Sequence, residues 1–325
     1  MHAKWITRIA IFVLSTAGFG LATGVALAQS YPSKPIAFIV PFGPGTGNDI
    51  IARIIAQKVS ESWGHPLVVT NRPGATGGIG LDIAAKSAPD GHTIIIASTS
   101  LIINQHLSKA RPDIVRDFAP VSLSGTLPYV LVVPDALPAK SLKELVAMAK
   151  SKPGKLNYTA TIGGLAHFLG EMLKSAGGID IVLIPTKLSS ESEADILSGR
   201  TEVWFTTVAS ALPHVKAGKM RILGITGDKR ASMLPDVPTM TEAGFPTLDA
   251  SAHFLILAPA GTPKPVVAAL NSEIVKAIDS KEVSDRLLAA GVEPRSSTPE
   301  ALDMLIKSEV ARWGKIVKET GIRVD

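Results

Sequence analysis

The sequence predicts an α/β protein built as two lobes, and three observations predict it. Short apolar runs rich in β-branched residues recur along the chain, most of them followed by a helical pattern, as expected of strands buried between helices. Two of these runs, 36–40 and 156–160, open into glycine turns that lead straight into helices. A late apolar run at 254–257 is followed by three helical stretches, 264–278, 280–290 and 299–314, so the chain returns to its first unit after building a second.

The elements follow in order. Ile36, Phe38, Ile39 and Val40 make a continuous apolar strand, and Phe42-Gly43-Pro44-Gly45-Thr46-Gly47-Asn48 is the turn behind it. Asn48 or Asp49 then caps a helix in which Ile50, Ile51, Ile54, Ile55 and Val59 recur at the helical period. Strands at 67–70 and 93–97 follow, separated by the glycine-rich stretch 71–80, a short helix at 81–87 and the turn Pro89-Asp90-Gly91. This β-α-β-α-β order calls for a parallel sheet with right-handed crossovers. The second unit starts with strands at 119–123 and 129–133, then a helix at 142–151 capped by Ser141 with Glu144 in capping-box position. It continues with a strand at 156–160, the turn Thr161-Ile162-Gly163-Gly164, and a helix from 165 to 176. Strands at 181–184, 202–206 and 222–225 and helices at 191–197 and 209–217 complete it. The two units connect near Leu127–Pro128 and near Leu248–His253, without flexible glycine-serine tracts, so they should hinge as rigid bodies.

Residues 1–28 read as a leader. Lys4 and Arg8 precede an apolar stretch from Ile9 to Leu21, and Ala26-Leu27-Ala28 supplies the small residues of a cleavage site after Ala28. The 20 residues from Ile9 to Ala28 would also just span a bilayer, but Gly18, Gly20 and Gly24 with the cleavage site favour export to the periplasm. Removing Lys4 and Arg8 lowers the net charge from +5 to +3, too mild for a nucleic-acid partner. The chain has no cysteine, which excludes disulfides, thiol catalysis and cysteine-bound zinc.

The chemistry points to binding rather than catalysis. A strand, a glycine turn and a helix start together leave backbone N–H groups and the positive end of the helix dipole aimed at one volume, which suits a carboxylate. Glycines in such turns also serve packing alone. Neither the Lys-Ser/Thr ending of a phosphate loop nor a third glycine of a dinucleotide fingerprint is present. Turns in both units, facing across a cleft, would grip the two ends of a dicarboxylate, or a carboxylate and a neutral polar group, with Thr46, Asn48 and Thr161 adding side-chain hydrogen bonds. His167, in the first turn after Gly164, is placed either to donate to a ligand or to cap and pack. The other histidines are scattered, with no HExxH and no GxSxG, and no acidic cluster has calcium or magnesium spacing. No cofactor or metal is expected. An exported hydrolase or transferase using His167 with a nearby Thr or Ser is the catalytic alternative, and a ligand sensor for a signalling partner is the other.

Several segments resemble the Bug family, the extracytoplasmic receptors of tripartite tricarboxylate transporters. They are Tyr31-Pro32-Ser33-Lys34-Pro35-Ile36, Val40-Pro41-Phe42-Gly43-Pro44-Gly45, Asn71-Arg72-Pro73-Gly74-Ala75 and Pro89-Asp90-Gly91, then Asp117-Phe118-Ala119-Pro120-Val121, Leu234-Pro235-Asp236-Val237-Pro238-Thr239 and Ala258-Pro259-Ala260-Gly261-Thr262-Pro263. The resemblance implies a type II periplasmic-binding-protein (Venus flytrap) fold, with 29–127 plus 249–325 as lobe 1 and 128–248 as lobe 2. It further implies a monomer without catalysis that captures a small organic carboxylate and delivers it to membrane permease subunits. The ligand-holding turns it implies are Phe42 to Asn48 and Thr161 to Gly164. Three positions depart from the family pattern: Pro185-Thr186-Lys187-Leu188 replaces a Pro-Tyr-Lys-Gly segment, Thr206 and Thr207 replace Asp-Asn, and His253 or Phe254 replaces a Trp. Losing a carboxylate at 206 removes the partner an ammonium group would need, so a plain carboxylic acid is expected rather than an amino acid.

Overall fold

The computed structural model describes residues 31–108 and 112–323; the leader at 1–28 lies outside them. From Lys34 onward the chain forms one unit with two five-stranded mixed sheets. In the first, β1 (Ile36–Val40) lies between β2 (Leu67–Asn71) and β3 (Thr93–Ser98), all parallel, with Ile36 opposite Leu67 and Ala37 opposite Thr93. β10 (Ala252–Pro259) returns antiparallel beside β3 and pairs on its other side with β4 (Phe118–Leu127), giving the order β2-β1-β3-β10-β4. The second sheet has the order β7-β6-β8-β5-β9, built from β5 (Tyr129–Pro134), β6 (Leu156–Thr161), β7 (Ile181–Thr186), β8 (Val203–Thr207) and β9 (Met220–Ile225). The inner strands of the first sheet are sequestered on both faces, so they are almost continuously apolar; β3 buries Ile94, Ile95, Ile96 and Ala97 completely.

Ten helices cover these sheets among the described residues. They are α1 (Gly47–Trp63), α2 (Gly78–Ala85), α3 (Thr99–Leu107), α4 (Leu142–Ser151), α5 (Leu165–Gly177), α6 (Ser189–Leu197), α7 (Val208–Lys216), α8 (Lys264–Asp279), α9 (Lys281–Ala289) and α10 (Pro299–Thr320). Ser141 caps α4 as the sequence implies, accepting the Glu144 N–H at 3.2 Å, while the Glu144 carboxylate accepts the Lys140 N–H at 2.8 Å. The α5 face packs on β6 so closely that a Cβ at Gly170 would come within 2.2 Å of the Tyr158 ring. α10 packs on the first sheet and also reaches the second: Trp313, fully buried, meets Phe168 of α5 edge-on at 5.7 Å. The Trp313 indole N–H donates to Glu309 at 2.9 Å, which satisfies a carboxylate that is itself buried.

Several element bounds differ from the sequence reading, and three of the differences are the largest. The sequence reading assigns no element between 97 and 119, and the structure places α3 there, with Leu101, Ile102 and Ile103 buried. β4 runs four residues beyond 123. Its Gly125 leaves room for Val292, which a Cβ would meet at 2.6 Å, so that Thr126 and Glu293 exchange backbone hydrogen bonds of 2.9 and 2.8 Å. α10 continues past Gly314 to Thr320, and that glycine admits the His106 ring of α3, which a Cβ would meet at 3.0 Å. Among the described residues no helix is long and apolar enough to cross a membrane.

Candidate functional site

The first-lobe turn is built by Asp49. Its carboxylate accepts the Gly45 N–H at 3.0 Å and the Asn71 side-chain amide at 2.8 Å, and it pairs with Arg53 four residues on at 3.0 Å. Burial would raise its pKa; the hydrogen bonds from Arg53, Gly45 and Asn71 outweigh that and hold the carboxyl down at about 2. Gly45 sits at φ +81°, a conformation that a side chain would resist. Pro44, Gly45 and Thr46 are exposed. The side chains the sequence offered as ligand donors are spent internally: the Thr46 hydroxyl donates to Gly43 O at 2.8 Å, and the Asn48 amide donates to Ile96 O of β3 at 3.2 Å. Phe42 turns toward the next glycine turn, where a Cβ at Gly77 would lie 3.1 Å from its ring. What this turn presents is backbone: Thr46 makes no side-chain cap, leaving the N–H groups of Gly47, Asn48 and Asp49 at the helix start. Phe254 lies over Gly47, at 3.2 Å from the position of a Cβ, whereas His253 lies 4.0 Å from Glu309 of α10. Phe254 is therefore the residue at the turn.

The glycines of the neighbouring turn have a packing role. A Cβ at Gly80 would come within 2.7 Å of Pro41, so this glycine lets α2 sit directly on the end of β1.

In the second lobe the turn Thr161-Ile162-Gly163-Gly164 is closed by His167, whose Nδ1 accepts the Gly163 N–H at 3.2 Å. The ring is buried between Tyr158 and Phe168, at centroid distances of 6.5 and 6.2 Å, and desolvation lowers its pKa below the ordinary imidazole value. His167 thus shapes the turn as a neutral acceptor. Gly163 takes φ +74°, and Gly164 begins α5 without a side-chain cap.

A cavity of about 140 Å³ opens beside this turn. Thr161, Gly164, Thr206 and Thr207 line it, as do Tyr129, Ala166, Ser189 and Ser192, which the sequence reading missed. The signal for the last two was the Ser189-Ser190 pair at the start of a helix. No charged side chain is in the wall. Ser192 is anchored by the Thr159 hydroxyl at 3.1 Å and the Thr186 hydroxyl at 2.8 Å, and Thr207 caps α7 by accepting the Ser210 N–H at 3.2 Å. Thr206 is 3% exposed, and among the described residues its hydroxyl has no protein partner. Ile162 and Gly163 are not in the wall, and neither is the turn from Phe42 to Asn48.

The helix starts differ in electrostatics. α1 carries Asp49 in its first turn and α6, which reaches the cavity through Ser189 and Ser192, carries Glu191, whereas α5 and α7 have no acidic residue there, so two of the three helix starts beside the cavity are uncompensated. Among the described residues no group of three His, Asp or Glu side chains is placed to hold a metal ion.

Two mixed α/β sheets, each with a glycine turn and an uncapped helix start after a parallel strand, define a two-lobed solute-binding protein. The model for the tripartite tricarboxylate transporter family receptor matches residues 51–322, and the chain belongs to that family. It is 37% identical to protein BugT of Bordetella pertussis, across 99% of this chain and 98% of that one. Among solved structures, a Rhodopseudomonas palustris protein determined with adipate is 32% identical, with a TM-score of 0.76 over 90% of this chain and 99% of its own. A second protein from Rhodopseudomonas palustris, with bound malate, is 28% identical, with a TM-score of 0.72 over 88% of this chain and 100% of its own.

Proposed function

We propose that this chain captures a small organic carboxylate between its two lobes and delivers it to the membrane permease subunits of a tripartite tricarboxylate transporter. The observation that carries the reading is the second-lobe cavity, whose wall offers hydroxyls, the acid-free helix starts of α5 and α7, and no charged side chain. An anion entering it meets hydroxyl donors and the positive ends of α5 and α7, with Glu191 at the start of α6 held by the Lys187 and Leu188 N–H groups. The relatives solved with adipate and malate support the same ligand class. In this reading 29–127 plus 249–325 form lobe 1 and 128–248 form lobe 2. The first-lobe turn supplies the opposing amides of Gly47, Asn48 and Asp49, and closure joins them to the cavity. The protein works in the periplasm as a monomer without catalysis, after removal of residues 1–28.

Calorimetric titration of the mature protein with di- and tricarboxylates, aromatic acids and amino acids tests the proposal. At least one acid should bind, and at a hundred times its Kd it should add about 2.7 kcal/mol to stability. Amino acids of the same length should bind more weakly. Intact mass of the periplasmic protein tests export, with a chain beginning at Gln29 expected. Binding confined to amino acids, or a chain still beginning at Met1, would overturn the corresponding part.

A further inference from the structure

Two exposed apolar residues adjoin, in sequence, residues whose hydroxyls line the second-lobe cavity. Ile162 is 50% exposed and Leu188 is 61% exposed. Thr161 and Thr186 are register partners in β6 and β7, so the segments leaving these strands start side by side, about 4.8 Å apart. Ile162 follows the first of these residues directly. Leu188 lies two residues past the second and immediately precedes Ser189, which lines the cavity.

Leu188 is out of place by local rules. It is the N-cap residue of α6, where Ser, Thr, Asp or Asn is favoured because a side-chain oxygen can accept an amide, and a leucine side chain can accept none. Capping comes from Glu191 instead, whose carboxylate accepts the Lys187 N–H at 2.7 Å and the Leu188 N–H at 3.4 Å. The leucine side chain serves neither the cap nor the core. An exposed apolar residue that breaks a local preference beside a cavity-lining serine is placed for a contact made outside the chain.

We infer that the ligand is an unhydroxylated organic acid, whose aliphatic or aromatic body lies against Ile162 and Leu188 while a polar end enters the cavity beside Thr206. This rests on the reading of the second-lobe cavity as the carboxylate site. A hydroxyl on the body would lose water against two apolar side chains and gain no partner there. Extending the body by one methylene along the rim should tighten binding by about three- to fourfold.

Calorimetric titration with succinate, malate and tartrate, and with adipate against its hydroxylated counterparts, gives the discrimination ratio. The wild type should favour each unhydroxylated acid by at least about tenfold. The double variant Ile162→Thr, Leu188→Asn should weaken the unhydroxylated acids at least about fivefold and bring the ratio toward one. Asn is a favoured N-cap, so the variant should fold, and its melting temperature should not fall. A hydroxylated acid bound as tightly as its parent, or a ratio unchanged in the double variant, overturns the inference and leaves the carboxylate reading in place. Absence of binding by every acid in both series overturns the two together.

Discussion

Gly163 donates its backbone N–H to Nδ1 of His167, four residues on, at 3.2 Å. The first lobe repeats the spacing, with Gly45 donating to Asp49 at 3.0 Å. Both latches hold a glycine turn against the start of the helix that follows. They differ in charge: one is a carboxylate kept ionised by Arg53, and the other is a neutral imidazole kept neutral by burial. The anion-attracting end of the helix is therefore offset in the first lobe and left bare in the second.

The His167 latch should be pH-sensitive. Nδ1 can accept only while it is unprotonated, and the folded pKa lies below the unfolded value near 6.5. Its contribution is thus complete above about pH 6.5 and lost as pH falls toward the folded pKa. His167→Phe should cost about 1–3 kcal/mol at pH 7 by leaving the Gly163 N–H without a partner. It should also flatten the loss of melting temperature between pH 7 and 5. Parallel melting curves against pH for the two proteins would refute this role.

Asp49 acts over a lower range. Its folded pKa of about 2, against about 3.9 unfolded, corresponds to roughly 2–3 kcal/mol of stability at neutral pH. The carboxylate is 5% exposed but its partner Arg53 is 52% exposed, so solvent screening trims the Arg53 share and leaves that of Gly45 and Asn71. The contribution is present above the unfolded pKa and disappears as pH falls toward 2. Asp49→Asn should lower the unfolding free energy by about 2 kcal/mol at pH 7 and by much less at pH 2. Denaturant titration at the two pH values is the measurement.

Substitutions in the first-lobe turn should separate binding from folding. Gly45→Val meets open space but a positive φ, whereas Gly47→Val meets the Phe254 ring, with no positive φ at that glycine. Backbone strain therefore acts at Gly45 and crowding at Gly47. Each variant should remain folded by circular dichroism and lose at least about a hundredfold in affinity for the best acid. Unchanged affinity in a folded variant would make the turn purely structural.

Charge at position 206 should decide ligand class. Thr206→Asp would place a carboxylate in the cavity wall, where a like charge about 4 Å away costs about 4 kcal/mol at an effective dielectric near 20, before relaxation. Affinity for a dicarboxylate should fall by a hundredfold or more. Thr206→Val keeps the shape and removes only the hydroxyl, so the loss should stay near tenfold or below. Equal affinities in wild type and Thr206→Asp would put the residue beyond the ligand's reach.

The strands and the two glycine turns were legible in the chain because they rest on local chemistry. Ile36 to Val40 could only be a buried strand, and Gly45 and Gly163 stand where the backbone turns through positive φ. Family resemblance in ordered segments such as Pro89-Asp90-Gly91 carried the rest of the architecture. α3 escaped notice because its helical state comes from burying Leu101 to Ile103 against neighbours far away in sequence.

The direction of side chains was settled by tertiary structure alone. Asn48 is polar and well placed in sequence, yet it is buried and its amide donates to Ile96 of β3, since a buried polar group must find a partner. His167 faces inward as an acceptor because Tyr158 and Phe168 enclose it. Ser189 and Ser192 join Thr161 and Thr206 in one cavity only because β7, β6 and β8 lie side by side, a pairing of segments tens of residues apart. The chain by itself thus determined which backbone can turn and offer amides, a matter of residue conformational preference. The fold decided which side chains remain free at the site, because that depends on partners brought close by long-range strand pairing.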